Sequence, residues 1–245
     1  MIARGRRRPV FLLQGFLSIL LATSTAAVAE RKAPNLGLGY EYDLSGTREE
    51  FLLPDPLPNG SIVPDHPLYV RLRVPWSLLE PAAGTYDWSE ADRIVAPYHE
   101  AHYVIVLCLY GPNAAIDPSG GAPSAAHGEI LKAWLTFIRA AALHFKGRVD
   151  YYEVWDEPNR TADFSGGNVT EFAYLLKNTS VTIRSSDPGA LIVQGGLAIG
   201  AQTAQADLAW QEALYQQGIA TYVDVLPIHP AAGIRLLARR MKVSR

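Results

Sequence analysis

Short apolar runs alternate with helical patterns along this chain of 245 residues, and that order restricts the fold more than any other feature. The runs are almost continuously apolar, which is typical of parallel strands covered by helices on both faces of a sheet. We predict six strands, at residues 36–42, 68–74, 103–110, 149–155, 191–194 and 222–228. Helical spacing predicts helices at residues 88–101, 128–146, 170–186 and 204–217.

A doubly wound sheet and a (β/α)8 barrel both fit this alternation. Two features favour the barrel: no Gly-x-Gly-x-x-Gly follows the first strand, and polar residues gather after several different strands. The stretch 44–67 is rich in Pro and Gly, so the first crossover helix is expected to be short or replaced by a loop. We therefore predict an α/β fold of the TIM-barrel type, incomplete, with about six βα units and with strands seven and eight missing.

The N-terminus reads as an export signal. Four arginines between residues 4 and 8 precede an apolar run at 10–21, and Ala27-Val28-Ala29 has the small-x-small pattern of a cleavage site. The apolar run is about 12 residues, against the ~20 needed to span a membrane. We predict a signal peptide over 1–29, a barrel domain over 30–245, and a secreted or periplasmic protein without stable membrane association after cleavage. An uncleaved signal anchor is the alternative.

Composition excludes several classes of partner and chemistry. The formal charge is −2 with no basic stripe, so nucleic acid is not an expected partner. The single Cys108 lies in an apolar run and cannot form an intrachain disulfide. No histidine or acidic set has metal-ligand spacing, and no cofactor motif is present, so neither a metal nor a cofactor is expected.

The predicted fourth strand ends in Trp155-Asp156-Glu157-Pro158-Asn159. A glutamate at the carboxyl end of a barrel strand lies where this fold keeps its catalytic groups, and the proline ends the strand. The segment resembles the Trp-Asn-Glu-Pro signature of clan A retaining glycoside hydrolases, especially the family 39 and family 5-like branches. The resemblance implies hydrolysis of O-glycosidic bonds in β-linked glycans, with Glu157 as acid/base. An ordinary exposed glutamate is the alternative, and Asn159 is expected to be a turn residue rather than a ligand.

Further parts of the chain resemble the same clan. The Arg-x-x-Trp…Glu-Pro…Gly-x-Tyr-Asp-Trp run begins at Arg73, and the resemblance implies that Arg73 lies at the floor of the sugar site. It implies substrate contacts by Asn113, after the third strand, and by His229, after the sixth. Asp156 is a further substrate-binding candidate and stands where the family usually has Asn, although an ionised Asp accepts hydrogen bonds and cannot donate them.

Three aromatic residues at or near strand ends, Trp76, Tyr110 and Trp155, are candidates for stacking on a sugar ring, and core packing is their alternative role. Alternation along the second strand places Arg71 and Arg73 on one face. The same alternation places Glu153 on one face with Trp155 and Glu157. Because alternate strands fill the interior layers of a barrel, we predict that Glu153 pairs inside with one of the two arginines.

The sequence after Pro230 contains no Asp or Glu. A retaining enzyme needs a second carboxylate about 5–5.5 Å from the first, so we expect the nucleophile to be absent from this chain. Three explanations stay open: a truncated or frameshifted gene, self-association through the open sheet edges, or an open form that binds glycan without cleaving it. The function is thus a secreted glycosidase or, alternatively, a catalytically inactive carbohydrate-binding remnant or gene fragment.

Overall fold

A computed structural model describes residues 11–13, 38–44, 68–162, 164–199 and 203–230. Its strands are β1 (Phe11–Leu13), β2 (Leu38–Asp43), β3 (Leu68–Pro75), β4 (Val104–Tyr110), β5 (Tyr151–Val154), β6 (Leu191–Gln194), β7 (Leu197–Ile199) and β8 (Leu226–Pro230). Its helices are α1 (Trp76–Leu79), α2 (Ser89–Glu100), α3 (Gly128–His144), α4 (Val169–Ser186) and α5 (Ala204–Gln216). None of these helices combines the length and the hydropathy needed to cross a membrane.

Every ladder between these strands is parallel. One sheet has the order β2-β3-β4-β5-β6, and a second has the order β1-β8-β7. A parallel bridge between Val193 and Val225 links the two sheets, and the Gln194 N–H donates to the Val225 carbonyl at 3.0 Å. The predicted α/β architecture is therefore confirmed.

The sixth predicted strand begins later than its apolar pattern indicates. Residues 219–221 form a 3-10 turn, and β8 begins only at Leu226. The Asp224 carboxylate accepts from the Ile192 N–H at 2.8 Å and from Arg184 at 3.0 Å. These contacts hold the chain beside the start of β6, so the strand starts after them.

A strand also occurs inside the predicted signal peptide. β1 runs parallel to β8, with Phe11 opposite Leu226 and Leu13 opposite Ile228. The signal peptide itself stays a prediction.

The two faces of the sheet carry different cores. One face packs against residues of α2, α3 and α4, such as Trp134. The strand residues on this face include Leu72, Leu107 and Val154. The opposite face carries a smaller apolar layer made of Tyr69, Val106, Tyr151, Val193 and Val225. On β3, β4 and β5 its members precede Arg71, Cys108 and Glu153 by two residues, so this layer forms an apolar floor beneath those three side chains.

Local sequence explains where the helices begin. α4 begins after Asn168, whose side chain accepts from the N–H groups of Thr170 and Glu171, and α5 begins after Thr203, which caps the N–H of Ala206. Each cap satisfies a helical donor that has no partner in the first turn. In the chain, α4 follows β5 and α5 follows β7.

Candidate active site at the carboxyl ends of the strands

The layer above the apolar floor is charged. Arg71 on β3 donates to Glu153 on β5 through Nε at 2.6 Å and through Nη2 at 3.0 Å. Both side chains are buried, and the Gly196 N–H also donates to Glu153, at 2.9 Å. A buried ion pair of this kind persists because its charges compensate each other and their hydrogen bonds are made. The predicted interior pairing of Glu153 with an arginine is confirmed.

Nη2 of Arg71 lies among three side chains whose donor atoms are close enough together to bind a metal ion. Cys108, Glu153 and Asp156 each bring a donor atom to this point, with all three atoms within 4.8 Å of one another. The Arg71 nitrogen is 3.0 Å from Glu153, 2.5 Å from Asp156 and 3.5 Å from the Cys108 sulfur. The guanidinium thus supplies the positive charge that a metal would bring.

Burial has opposite effects on the two titratable groups at this point. Burial alone would lower the pKa of Arg71, but the neighbouring Glu153 and Asp156 carboxylates outweigh it and raise that pKa well above its ordinary value. Burial raises the pKa of the Cys108 thiol, and the charge of Glu153 raises it further. The arginine is therefore charged and the cysteine is a neutral thiol, which does not suit a nucleophile.

Arg73 occupies the next layer, closer to solvent. Its guanidinium pairs with Asp156 at 2.8 Å and with Asp43 at the end of β2, and it lies 4.8 Å from the centre of the Tyr110 ring. The Tyr110 hydroxyl donates to Asp43 at 3.1 Å. Five residues therefore form one network, called here the charged cluster: Asp43, Arg71, Arg73, Glu153 and Asp156. It contains three carboxylates and two guanidinium groups.

Glu157 follows this cluster directly in the chain. Its side chain is 21% exposed and accepts from Nη1 of Arg160 at 2.6 Å, and the arginine is 48% exposed. Two residues of this turn have left-handed backbone: Trp155, with φ 67°, and Glu157 itself, with φ 45°. Each such residue costs about 1–3 kcal/mol and persists only where the surrounding structure imposes it, and such residues cluster at functional sites. Glu157 thus stands beyond the carboxyl end of β5, on a constrained turn.

The structure brings three of the candidate residues together and places others elsewhere. Arg73, Tyr110 and Asp156 meet in or beside the charged cluster. Trp76 lies in the core, because α1 begins directly after β3 and turns the indole toward Trp134, 5.3 Å away between ring centres. The expectation that Trp76 stacks on a sugar is wrong for this reason.

Asn113 is also structural. Its amide donates to the Glu80 carbonyl at 2.8 Å and accepts from the Ala115 N–H at 3.0 Å, and the side chain is buried. A buried amide already engaged on both sides has little left to offer a substrate. The backbone of His229 lies in β8, but its side chain is outside the described part of the chain.

Sequence reasoning missed Asp43. The first strand was predicted to end at Tyr42, but β2 extends to Asp43, which lies opposite Arg73 in the parallel register. An acidic residue after an apolar strand, next to a strand that ends in arginines, was the available signal. The role of Asp156 as a partner of two arginines also requires the three-dimensional arrangement.

No protein-family model matches the chain, and no curated protein matches it significantly. Among solved structures, a family 39 glycoside hydrolase from the gut symbiont Bacteroides cellulosilyticus WH2 is similar, with a TM-score of 0.55 and 22% identity over 66% of this chain and 32% of that chain. The chain thus spans about a third of that structure's length. The two chains share a fold of the TIM-barrel type.

Two other similarities are weaker. The GH39 enzyme from Xanthomonas axonopodis pv. citri has a TM-score of 0.47 at 21% identity, over 66% of this chain and 34% of that chain. Endo-glycoceramidase II from Rhodococcus sp. has a TM-score of 0.42 at 22% identity, over 54% of this chain and 41% of that chain. Both TM-scores are too low to carry the fold assignment, which rests on the Bacteroides enzyme.

Proposed function

We propose that this chain belongs to a glycosidase that hydrolyses O-glycosidic bonds of β-linked glycans with retention of configuration, and that Glu157 is its acid/base. One observation carries the proposal: Glu157 stands partly exposed beyond the carboxyl end of β5, on a left-handed turn above the charged cluster. Catalytic groups of TIM-barrel enzymes lie at this end of the strands.

In the first step, the protonated Glu157 donates its proton to the glycosidic oxygen while a second carboxylate attacks the anomeric carbon. The bond to the departing oxygen breaks, and a glycosyl ester forms. In the second step the Glu157 carboxylate takes a proton from water, whose oxygen displaces the ester. Both inversions together retain the configuration, and Glu157 recovers its proton.

Hydrolysis with retention requires a second carboxylate as nucleophile, whereas binding of carbohydrate without cleavage does not. Of the described carboxylates in the charged cluster, Asp43 is bound by Arg73, Glu153 by Arg71, and Asp156 by both arginines. Each carboxylate of the cluster is thus already engaged by an arginine, and this observation favours the second candidate function, in which the chain binds carbohydrate without cleaving it.

Turnover of aryl and alkyl β-glycosides distinguishes the two functions. We expect Glu157→Gln to lose about 10²–10⁴-fold in rate on an alkyl glycoside, whose leaving group needs the proton. A dinitrophenyl glycoside, whose leaving group does not need it, should lose far less in the first step. Glu90→Gln, on the outer helix α2, is the matched control and should retain full activity.

Binding without turnover by the unaltered chain would reject hydrolysis and support the carbohydrate-binding function. Equal losses on both glycosides would show that Glu157 is not the acid. Proton NMR of the first sugar released decides the stereochemistry: the β-anomer supports retention, and the α-anomer contradicts it.

We also propose that the protein is exported and cleaved after Ala29. The basic segment, the apolar run and the Ala27-Val28-Ala29 site support this. N-terminal sequencing of the protein recovered from periplasm or medium should begin at Glu30, and recovery of residues 1–29 on the mature chain would contradict cleavage.

A further inference from the structure

The turn that carries Glu157 needs support from outside itself. Trp155 and Glu157 both have left-handed backbone, a conformation that residues other than Gly adopt rarely. Within the turn, the Arg160 N–H donates to the Glu157 carbonyl at 3.0 Å, and the Trp155 N–H donates to Leu109 on β4 at 2.9 Å. These bonds fix the start of the turn and its interior but not its far end.

Asn159 fixes the far end. Its Nδ2 donates to the Ala198 carbonyl at 3.0 Å, and its Oδ1 accepts from the Ala198 N–H at 3.0 Å. The side chain thus pairs with β7 as a neighbouring strand would, and it is 3% exposed. Only an amide can donate and accept in this way, since a carboxylate lacks the donor.

The second hydrogen of the same amide has its own partner. Nδ2 of Asn159 also donates to Oδ1 of Asp207 at 2.9 Å. Asp207 is buried and lies near the N-terminus of α5, where the helix dipole favours a negative charge. A charged acceptor makes this a strong hydrogen bond and fixes the orientation of the amide.

Gly195 supports the turn from the adjacent strand. A Cβ at this position would lie 2.6 Å from the Val154 carbonyl oxygen, 3.0 Å from that of Trp155 and 3.1 Å from Cδ of Pro158. The backbone after β6 therefore touches the turn directly, in a space that admits no side chain. The turn is held between Gly195 on one side and the Asn159 contacts on the other.

We propose that Asn159 is a positioning residue for Glu157, and that Asp207 is the acceptor that orients it. The inference rests on the proposed role of Glu157 and adds two residues that do not touch the substrate. Through its amide, Asn159 bonds the turn to β7 and α5, so the positions of these two elements determine the position of the turn. Glu157 therefore depends on the βα unit that follows its own strand.

Two substitutions at Asp207 separate hydrogen bonding from charge. Asp207→Asn and Asp207→Ala remove the same charge, but only the Asn variant keeps an oxygen that accepts from Asn159. Asn159→Ala removes the hydrogen bonds of this side chain to Ala198 and Asp207 without changing any charge. Asn178→Ala, on the outer helix α4, is the matched control.

The readout is the carboxyl ¹³C signal of Glu157 in the full chain labelled with ¹³C-glutamate, assigned by its disappearance in Glu157→Gln. We expect Asn159→Ala and Asp207→Ala to move the titration midpoint of Glu157 by about half a pH unit or more. Asp207→Asn and Asn178→Ala should leave it unchanged. If Asn159→Ala does not fold, the two Asp207 variants alone decide the question.

An unmoved Glu157 signal in Asn159→Ala would overturn the proposal, and so would equal effects of the two Asp207 variants. The NMR readout needs no turnover, so the two proposals fail separately. If Glu157→Gln keeps full activity while Asn159→Ala moves the Glu157 signal, the positioning stands and the acid/base role fails. If the enzyme is active, Asn159→Ala should lower kcat more than it raises KM.

Discussion

Removal of the Glu153 carboxylate is the most direct test of how the charged cluster holds the sheet together. Glu153 is 1% exposed and accepts three hydrogen bonds, two from Arg71 and one from the Gly196 N–H. Glu153→Leu keeps much of the side-chain volume but leaves Arg71 with one carboxylate in place of two. It also leaves the Gly196 N–H without this acceptor.

Breaking a buried ion pair by removing one partner costs about 3–5 kcal/mol. For a chain of this size, 1 kcal/mol corresponds to about 2–4 °C in Tm, so we expect a decrease of about 6–20 °C. The decrease should persist at high salt, because a buried pair is poorly screened. The double variant Arg71→Met, Glu153→Leu should recover part of the loss, since no uncompensated guanidinium is then buried at this point.

Thermal and urea unfolding followed by circular dichroism measure these effects. Glu90→Gln is the control, because its pair with Arg93 is exposed and should contribute less than about 1 kcal/mol. A loss in Glu153→Leu no larger than in Glu90→Gln would refute the reasoning. The account of charge compensation would be refuted if Arg71→Met, Glu153→Leu lost more free energy of unfolding than the two single variants lose together.

Three further predictions follow from buried side chains. Cys108 should resist thiol reagents at pH 8 in the folded protein and react after unfolding, since burial raises its pKa; fast labelling of the native chain would contradict this. Burial also raises the pKa of Tyr69 and Tyr152, with added effects from Asp150 and Asp187 respectively. The folded state then keeps protons that the unfolded state releases, so stability should fall as pH rises above about 10. Urea unfolding should show a smaller fall for Tyr152→Phe. Trp76→Phe loses the 2.6 Å hydrogen bond to Glu80 and should cost about 1–3 kcal/mol in the same assay, whereas an unchanged midpoint would contradict that contact.

Periodicity predicted the sheet well where strands are continuous and apolar. The predicted strand 68–74 differs from β3 by one residue, and 191–194 matches β6. The interior pairing of Glu153 with one of the two arginines followed from two-residue alternation, because that rule holds while a strand stays regular.

The rule fails where regular backbone ends. Trp76 comes directly after β3, but helix α1 turns its indole into the core. Trp155 and Glu157 have positive φ, so alternation no longer tells which way they point. Asp156 binds two arginines of another strand, and such a contact depends on distances that sequence spacing does not contain.

The separation in sequence between the parts of the cluster also has a consequence for synthesis. Gly196, which completes the hydrogen bonds of Glu153, follows it by 43 residues, whereas Arg71 precedes it by 82. A ribosome adding about 5–20 residues per second needs roughly 2–9 s to cover the later interval. During that time the nascent chain holds both charges of the pair without the Gly196 N–H, so the hydrogen bonds of Glu153 are completed only after this interval.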